Sequence, residues 1–284
     1  MGQNSSIEWT DHTFNPWWGC SKVSPACQNC YAELWAKRMG HQIWGKRVNR
    51  RFFSDHHWRE PLIWNEDARS AGKRRRVFCA SMADVFERRS ELNAPRDRLW
   101  NRIRSTPWLD WLLLTKRPEN IEQMVPWKTK WPENVWIGTT VENQIYADQR
   151  LPLLLKCPAV VRFLSCEPLL GAIDLRPWFR TSGHHAIDWV IAGGESGPRA
   201  RAMHPDWVRN LLHQCQEAEV PFHFKQWGHW VPAELARETE AKLVAFENER
   251  PVKMVRLPKK AAGRTLEGST WNGLPDTALG HVED

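Results

Sequence analysis

No stretch of the 284 residues approaches the length needed to cross a bilayer, and the chain opens without an apolar signal sequence. The expectation is a soluble, cytoplasmic protein. Its seven cysteines are an odd number, which disfavours a disulfide framework. The turn Gly193-Gly194-Glu195-Ser196-Gly197 lacks the spacing of a dinucleotide fingerprint, and no P-loop lysine follows it. The 19 tryptophans do not sort into a repeat.

What is present bounds the rest. A hydrophobic content of 42% in a chain of this length can bury the core of one large α/β unit, or of one domain with a small appendage. Most of the tryptophans are expected to anchor a core or line a cleft, with Trp17, Trp18 and Trp58 set apart by their neighbours. An excess of 40 Lys and Arg over 33 Asp and Glu gives a net charge of +7, which favours a polyanionic partner. The charge gathers in a basic insertion over 44–76. There Lys46, Arg47, Arg50 and Arg51, then Lys73, Arg74 and Arg75, flank Trp58 and Arg59. Interleaved cations and aromatics can neutralise phosphates and stack on bases, so these nine residues are candidate nucleic-acid contacts, a solvated basic loop being the alternative.

Short apolar runs alternate with helical patterns. Strands are predicted at Arg76–Ala80, Trp108–Leu114, Val135–Gly138, Val160–Leu164, Trp189–Ala192 and Pro221–Phe224. Helices are predicted at Glu91–Arg104, Pro118–Met124, Asn143–Leu155 and Asp206–Ala218. This order implies repeated βα units around a parallel sheet, a partial or complete (β/α) barrel. Each strand runs into charged or hydroxyl residues, as in Ser81 to Asp84, Thr115-Lys116-Arg117, Thr139 to Glu142, Ser165-Cys166-Glu167, Gly193 to Gly197 and Lys225-Gln226-Trp227. Such endings converge on one face of a barrel, where active sites form.

Cys20, Cys27 and Cys30 stand close together in a polar setting with no fourth cysteine nearby, whereas Cys79, Cys157, Cys166 and Cys215 lie in apolar runs and are expected to be buried. Three thiolates leave one iron of a 4Fe-4S cluster free to bind a ligand. Structural zinc, the alternative, would need a fourth ligand from a distance, for example His12 or His41. Among the strand-end residues, Lys116, Arg117 and Lys225 could hold a carboxylate or phosphate, and Glu142, Glu167 and Glu195 an amine or hydroxyl. Each could equally be an internal ion-pair partner. Asp84, Glu142, Glu167 and Glu195 could alternatively gather around a divalent ion, as in a metal-dependent nuclease.

The loop Gly19-Cys20 through Cys27-Gln28-Asn29-Cys30-Tyr31 resembles the cluster loop of radical S-adenosylmethionine (SAM) enzymes, particularly the spore-photoproduct-lyase-like branch, with three extra residues between the first two cysteines. The whole chain resembles a phage- and prophage-associated family of three-Cys-motif proteins, through blocks such as Ile7-Glu8-Trp9-Thr10, Ser81-Met82-Ala83-Asp84, Leu114-Thr115-Lys116-Arg117-Pro118 and Ser165-Cys166-Glu167-Pro168. The resemblance implies a radical-SAM-like barrel with a 4Fe-4S cluster at its mouth and SAM on the unique iron. One-electron cleavage of SAM would give a 5'-deoxyadenosyl radical that abstracts a substrate hydrogen, here in nucleic-acid repair or modification. It also implies a separate partner protein. In this order along the barrel Ser81 and Asp84 are expected near the methionine amine, ahead of Gly193, Gly194 and Glu195.

From His229 the chain changes character. Residues 1–228 are expected to form the barrel domain and 229–284 an appendage, with an exposed helix over Glu234–Glu247 and a hairpin or flap around Pro251–Leu257. Lys259, Lys260 and Arg264 could extend a phosphate-binding surface.

Overall fold

A computed structural model describes residues 2–179, 186–236, 240–247 and 249–276. Seven parallel strands, β1 (His12–Thr13), β2 (Arg75–Cys79), β3 (Leu109–Thr115), β4 (Val135–Thr140), β5 (Val161–Cys166), β6 (Trp189–Gly193) and β7 (Phe222–Gln226), pair in chain order. Because spatial order equals chain order, the sheet winds in one direction. β1 and β7 do not pair with each other, so the result is a curled half-barrel in an α/β fold.

Two buried clusters divide the sheet by its pleat. Phe78, Leu112, Trp136, Phe163, Trp189 and Ile191 fill the concave face, while Val77, Trp111, Leu113, Ile137, Leu164 and Val190 pack outward under the helices. This is the period of two that successive strand residues must show when both faces of a parallel sheet are covered. Trp9, just ahead of β1, closes the hollow between Phe78 and Trp189, with ring centroids 4.6 and 6.2 Å away. Gly138 leaves the space that the Phe163 ring occupies, since a Cβ there would stand 2.6 Å from it.

The outer layer is built by α1 (Tyr31–Arg38), α2 (Asp55–Ser70), α3 (Asn93–Arg104), α4 (Ile121–Met124), α5 (Gln144–Leu154) and α6 (Pro205–Glu217). α6 shows why these segments are helical and where they start. The His204 imidazole accepts the Asp206 amide at 3.1 Å, Pro205 fits the first turn, and Val208, Leu211, Leu212 and Cys215 form one buried stripe. Asn143 caps α5 in the same manner through the Tyr146 amide at 3.2 Å.

The tail departs from expectation. Glu234–Glu247 does not form a helix: residues 237–239 lie outside the described residues, and the next element is the strand β9 (Lys242–Phe246). With β8 (Trp230–Pro232) and β10 (Glu249–Arg256) it makes a three-stranded antiparallel sheet, followed by the single turn α7 (Lys259–Ala262). The alternation of exposed Leu243 with half-buried Val244 suits a strand lying on a surface. Val231, Val255, Leu257 and Leu266 join the main outer core. Beyond α7 the chain returns to β7, where the Phe224 amide donates to Trp271 O and the Gly273 amide to Phe222 O. This strap covers the β7 edge. Among the described residues no helix is long and apolar enough to cross a membrane.

Candidate functional site

The carboxyl ends of the strands open on a cavity of about 410 Å³, a size typical of ligand pockets. Its floor is apolar, with Ile7, Trp9, Phe78 and Leu114, and its walls carry Ser81, Asp84, Lys116, Arg117, Glu167, Gly194, Glu195 and Lys225. Cys20, Cys27 and Cys30 line the same cavity, each a free thiol. Cys79, Cys157, Cys166 and Cys215 are buried.

The loop that carries the three thiols is fastened to the ends of four strands. After β3, Arg117 donates to Cys20 Sγ at 3.6 Å and to Ser21 O at 2.8 Å, and Ser21 Oγ donates to Glu87 at 2.7 Å. After β4, Glu142 accepts the Ala26 amide at 3.3 Å while Arg150 holds its other oxygen at 2.8 Å. Beyond β6, Glu195 accepts from Asn29 Nδ2 at 2.9 Å, and Arg201 bridges Glu195 to Pro25 O at 3.0 Å and Gln28 Oε1 at 3.2 Å. After β2, Ser81 O accepts the Tyr31 hydroxyl at 2.9 Å.

These contacts reassign several residues. Both oxygens of Asp84 are engaged, by Arg117 at 2.7 Å, by Thr115 at 2.7 Å and by the Lys116 and Phe86 amides, which leaves no room to hold a cofactor amine. Burial opposes its charge, yet Arg117 and the hydrogen bonds outweigh it and hold the carboxyl below its usual range. Glu195 is likewise lowered against its burial by Arg201 and Asn29. Glu142 and Gly193 do not line the cavity. The four carboxylates proposed for a divalent ion face Arg117, Arg150, Lys225 and Arg201 instead of one another. Left facing the cavity are the Lys225–Glu167 pair at 2.9 Å and Lys116, whose ammonium reaches Thr140 Oγ1 at 3.1 Å.

As they stand, the thiols are not drawn into a ligand set: among the described residues no three His, Cys, Asp or Glu converge on one point. Their chemistry still suits a cluster. Three soft donors face one cavity beside Lys116 and Arg117, cations that offset the charge of thiolates. Neither His12 nor His41 supplies a fourth ligand. His12 stacks on Trp64 at 4.6 Å, and His41 meets Arg51 at 2.7 Å. Burial pushes the Cys20 thiol up to about 12 despite Arg117, and raises Cys30 as well, so both are protonated until a metal displaces the proton.

The expected basic surface is split. Lys46, Arg47 and Arg51 lie on the thiol side of the mouth, where the Gly45 amide donates to Cys20 O and Arg51 stacks on Trp18 at 4.7 Å. Lys73, Arg74 and Arg75 sit beyond the far end of α2, at the amino ends of the strands. The 16-residue α2, about 24 Å long, lies between the two groups in the chain. Arg74 is there paired with Asp110 at 2.6 Å, and Arg75 faces Asp11. Arg50 is buried on Glu87 at 2.7 Å, and Trp58 is 2% exposed against Phe14, so neither can meet a nucleic acid. Trp17 is core as well. Arg59 remains exposed on α2. Sequence reasoning passed over Arg201, Asn29 and Tyr31 as loop anchors, because their partners are distant in the chain.

The sequence model of a family described as "Protein of unknown function (DUF5131)" matches residues 4–275. No curated protein matches. Among solved structures the chain is similar to a double mutant of spore photoproduct lyase with bound AdoMet and dinucleoside spore photoproduct, at 12% identity and a TM-score of 0.43, over 90% of this chain and 73% of that one. A single mutant of the lyase gives 11% identity and a TM-score of 0.45, over 92% of this chain and 72% of that one.

Proposed function

We propose that the chain, which belongs to the DUF5131 family, is a radical-type iron–sulfur enzyme that uses SAM to abstract a hydrogen from a nucleic acid or nucleotide. The observation that carries this reading is the loop of three free thiols, held at a barrel mouth by the ends of four strands, with no fourth cysteine lining the same cavity. A closed structural zinc site would need a fourth ligand.

Cys20, Cys27 and Cys30 would hold a 4Fe-4S cluster, which when bound supplies one electron for cleavage of SAM. The chain's own residues do the positioning. Arg117 sits between Cys20 and Asp84 and keeps its charge beside the thiols. Lys116 would receive a carboxylate, and Glu167 with its partner Lys225 an amine or hydroxyls. Ile7, Trp9, Phe78 and Leu114 keep water from the floor, which protects a reactive intermediate.

Anaerobic purification with iron and sulfide analysis, followed by electron paramagnetic resonance with and without SAM, tests the reading. About four irons per chain and a reduced signal altered by SAM are expected. Cys27→Ala should abolish iron binding while leaving the fold, as seen by circular dichroism. Zinc alone, with no iron taken up on reconstitution, or full iron retained by Cys27→Ala, would overturn it.

A further inference from the structure

We propose that the tail supplies a phosphate-binding rim to the cavity, with Lys259 as its inner ligand and Arg256 and Arg199 as its outward continuation, and that the partner held there is the backbone of a single nucleic-acid strand. The inference deepens the reading above, on which it rests for the choice of nucleic acid.

Lys259 lines the cavity although it lies in the tail turn α7, far in sequence from the barrel strands. Among the described residues Lys259, Lys260, Arg256 and Arg199 are all exposed, and none of them forms an ion pair, whereas Lys225 and Arg201 beside them are each paired. The acids nearest in effect to Lys259 are Glu8 and Glu167, and Glu167 is already engaged by Lys225. Lys225 beside the exposed Lys259 repels its ammonium, a tension that an anion between the two would relieve.

Contacts link the segments that carry these cations from the cavity wall to the thiol loop. Arg256 and Lys259 both bear on His229, whose proton is disfavoured first by burial and then by these two charges. Arg256 Nη2 donates to Pro198 O at 2.6 Å, which sets it against the glycine turn. Arg199 follows in the chain, and its carbonyl accepts Asn29 of the thiol loop at 2.8 Å. The linked segments thus run from the cavity wall at Lys225 to the loop that carries Cys30. One phosphate would need only their inner end. A string of charges along the edge of a recess matches a backbone whose phosphates repeat, with one nucleotide turned inward. The Arg256 segment is held firmly, because Val255 and Leu257 on either side of Arg256 are buried and the Leu257 amide donates to His229 O at 3.0 Å.

The test is fluorescence anisotropy of a labelled single strand of about 12 nucleotides, DNA and RNA in parallel, titrated with the full chain over a series of salt concentrations. Lys259→Gln combined with Arg256→Gln should weaken binding about tenfold or more and reduce the slope of log K against log salt by roughly 1.4, and Lys259→Gln alone by roughly 0.7. Lys73→Gln with Arg75→Gln, at the opposite end of the barrel, should stay within about twofold. The titration is repeated on the unaltered chain after a chelator has removed its metal, where strand binding should persist, so loss of the iron reading and loss of the rim are separate results. A strand that does not bind the unaltered chain, or a double variant with unchanged affinity and slope, overturns the rim.

Discussion

Glu142 is fully buried, yet it carries two obligations: one oxygen receives Arg150 and the other the Ala26 amide, 116 residues away in sequence. Glu142→Ala would leave the Arg150 guanidinium buried without its counter-charge, so a stability loss of about 3–5 kcal/mol in urea unfolding is expected. Glu142→Gln, which keeps an acceptor for Ala26, should lose less stability and, on the proposed cluster reading, retain more iron on reconstitution. His223 gives a second residue-level expectation. Buried on β7 beside Arg264, its imidazole is lowered from 6.5 to about 3 by burial first and then by Arg264. The unfolded chain therefore binds the proton that the folded chain refuses. The contribution is complete above pH 6.5 and is lost as pH falls towards 3, by at most about 1.4 kcal/mol per pH unit. Urea midpoints at pH 7 and pH 5 should differ less in His223→Asn than in the unaltered chain. His12 and His229 are lowered as well, so some slope remains in the variant.

At the level of elements, the barrel strands were legible because each is a short apolar run that ends abruptly in polar residues. The predicted strand Trp108–Leu114 became Leu109–Thr115, and Val135–Gly138 extended to Thr140. The extension has a reason: Thr139 and Thr140 are fully buried among the strands, so their hydroxyls do not mark the end of pairing. The tail was misread because its charged residues fit a solvated helix as well as a surface strand, and only β10 pairing with both β8 and β9 decides between them. That Cys20, Cys27 and Cys30 share one cavity was legible from their closeness in the chain. The duties of Glu142 and Glu195 were not, since each is defined by a partner in the loop that sequence does not place beside it. The strap over β7 invites a direct check. A Cβ on Gly273 would stand 2.6 Å from the Phe222 nitrogen and 2.7 Å from its oxygen, so Gly273→Ala must push the strap away. An uncovered edge strand pairs with other chains. Light scattering on warming should therefore show aggregation at a lower temperature in this variant, and an unchanged onset would mean that the strap does not protect the edge.

For the whole molecule, the half-barrel explains why one loop can meet so many strand ends. A flat sheet of the same order would place β2 and β6 far apart, whereas the curl brings Ser81 and Glu195 to one mouth. It also explains the division of the basic residues, since a parallel barrel has two unlike ends and the chain crosses between them through α2. The ties across the mouth are long in sequence: Asn29 meets Glu195 across 166 residues and Arg201 meets Pro25 across 176. At a synthesis rate of about 5–20 residues per second, the thiols leave the ribosome roughly 10–30 s before the residues that anchor them exist. During that interval they belong to a loose segment, open to oxidants and to stray metal ions. Under the proposed function, metal loading must then wait for the strand ends that anchor the loop, and slowing translation beyond the loop should raise the fraction of molecules that emerge without iron.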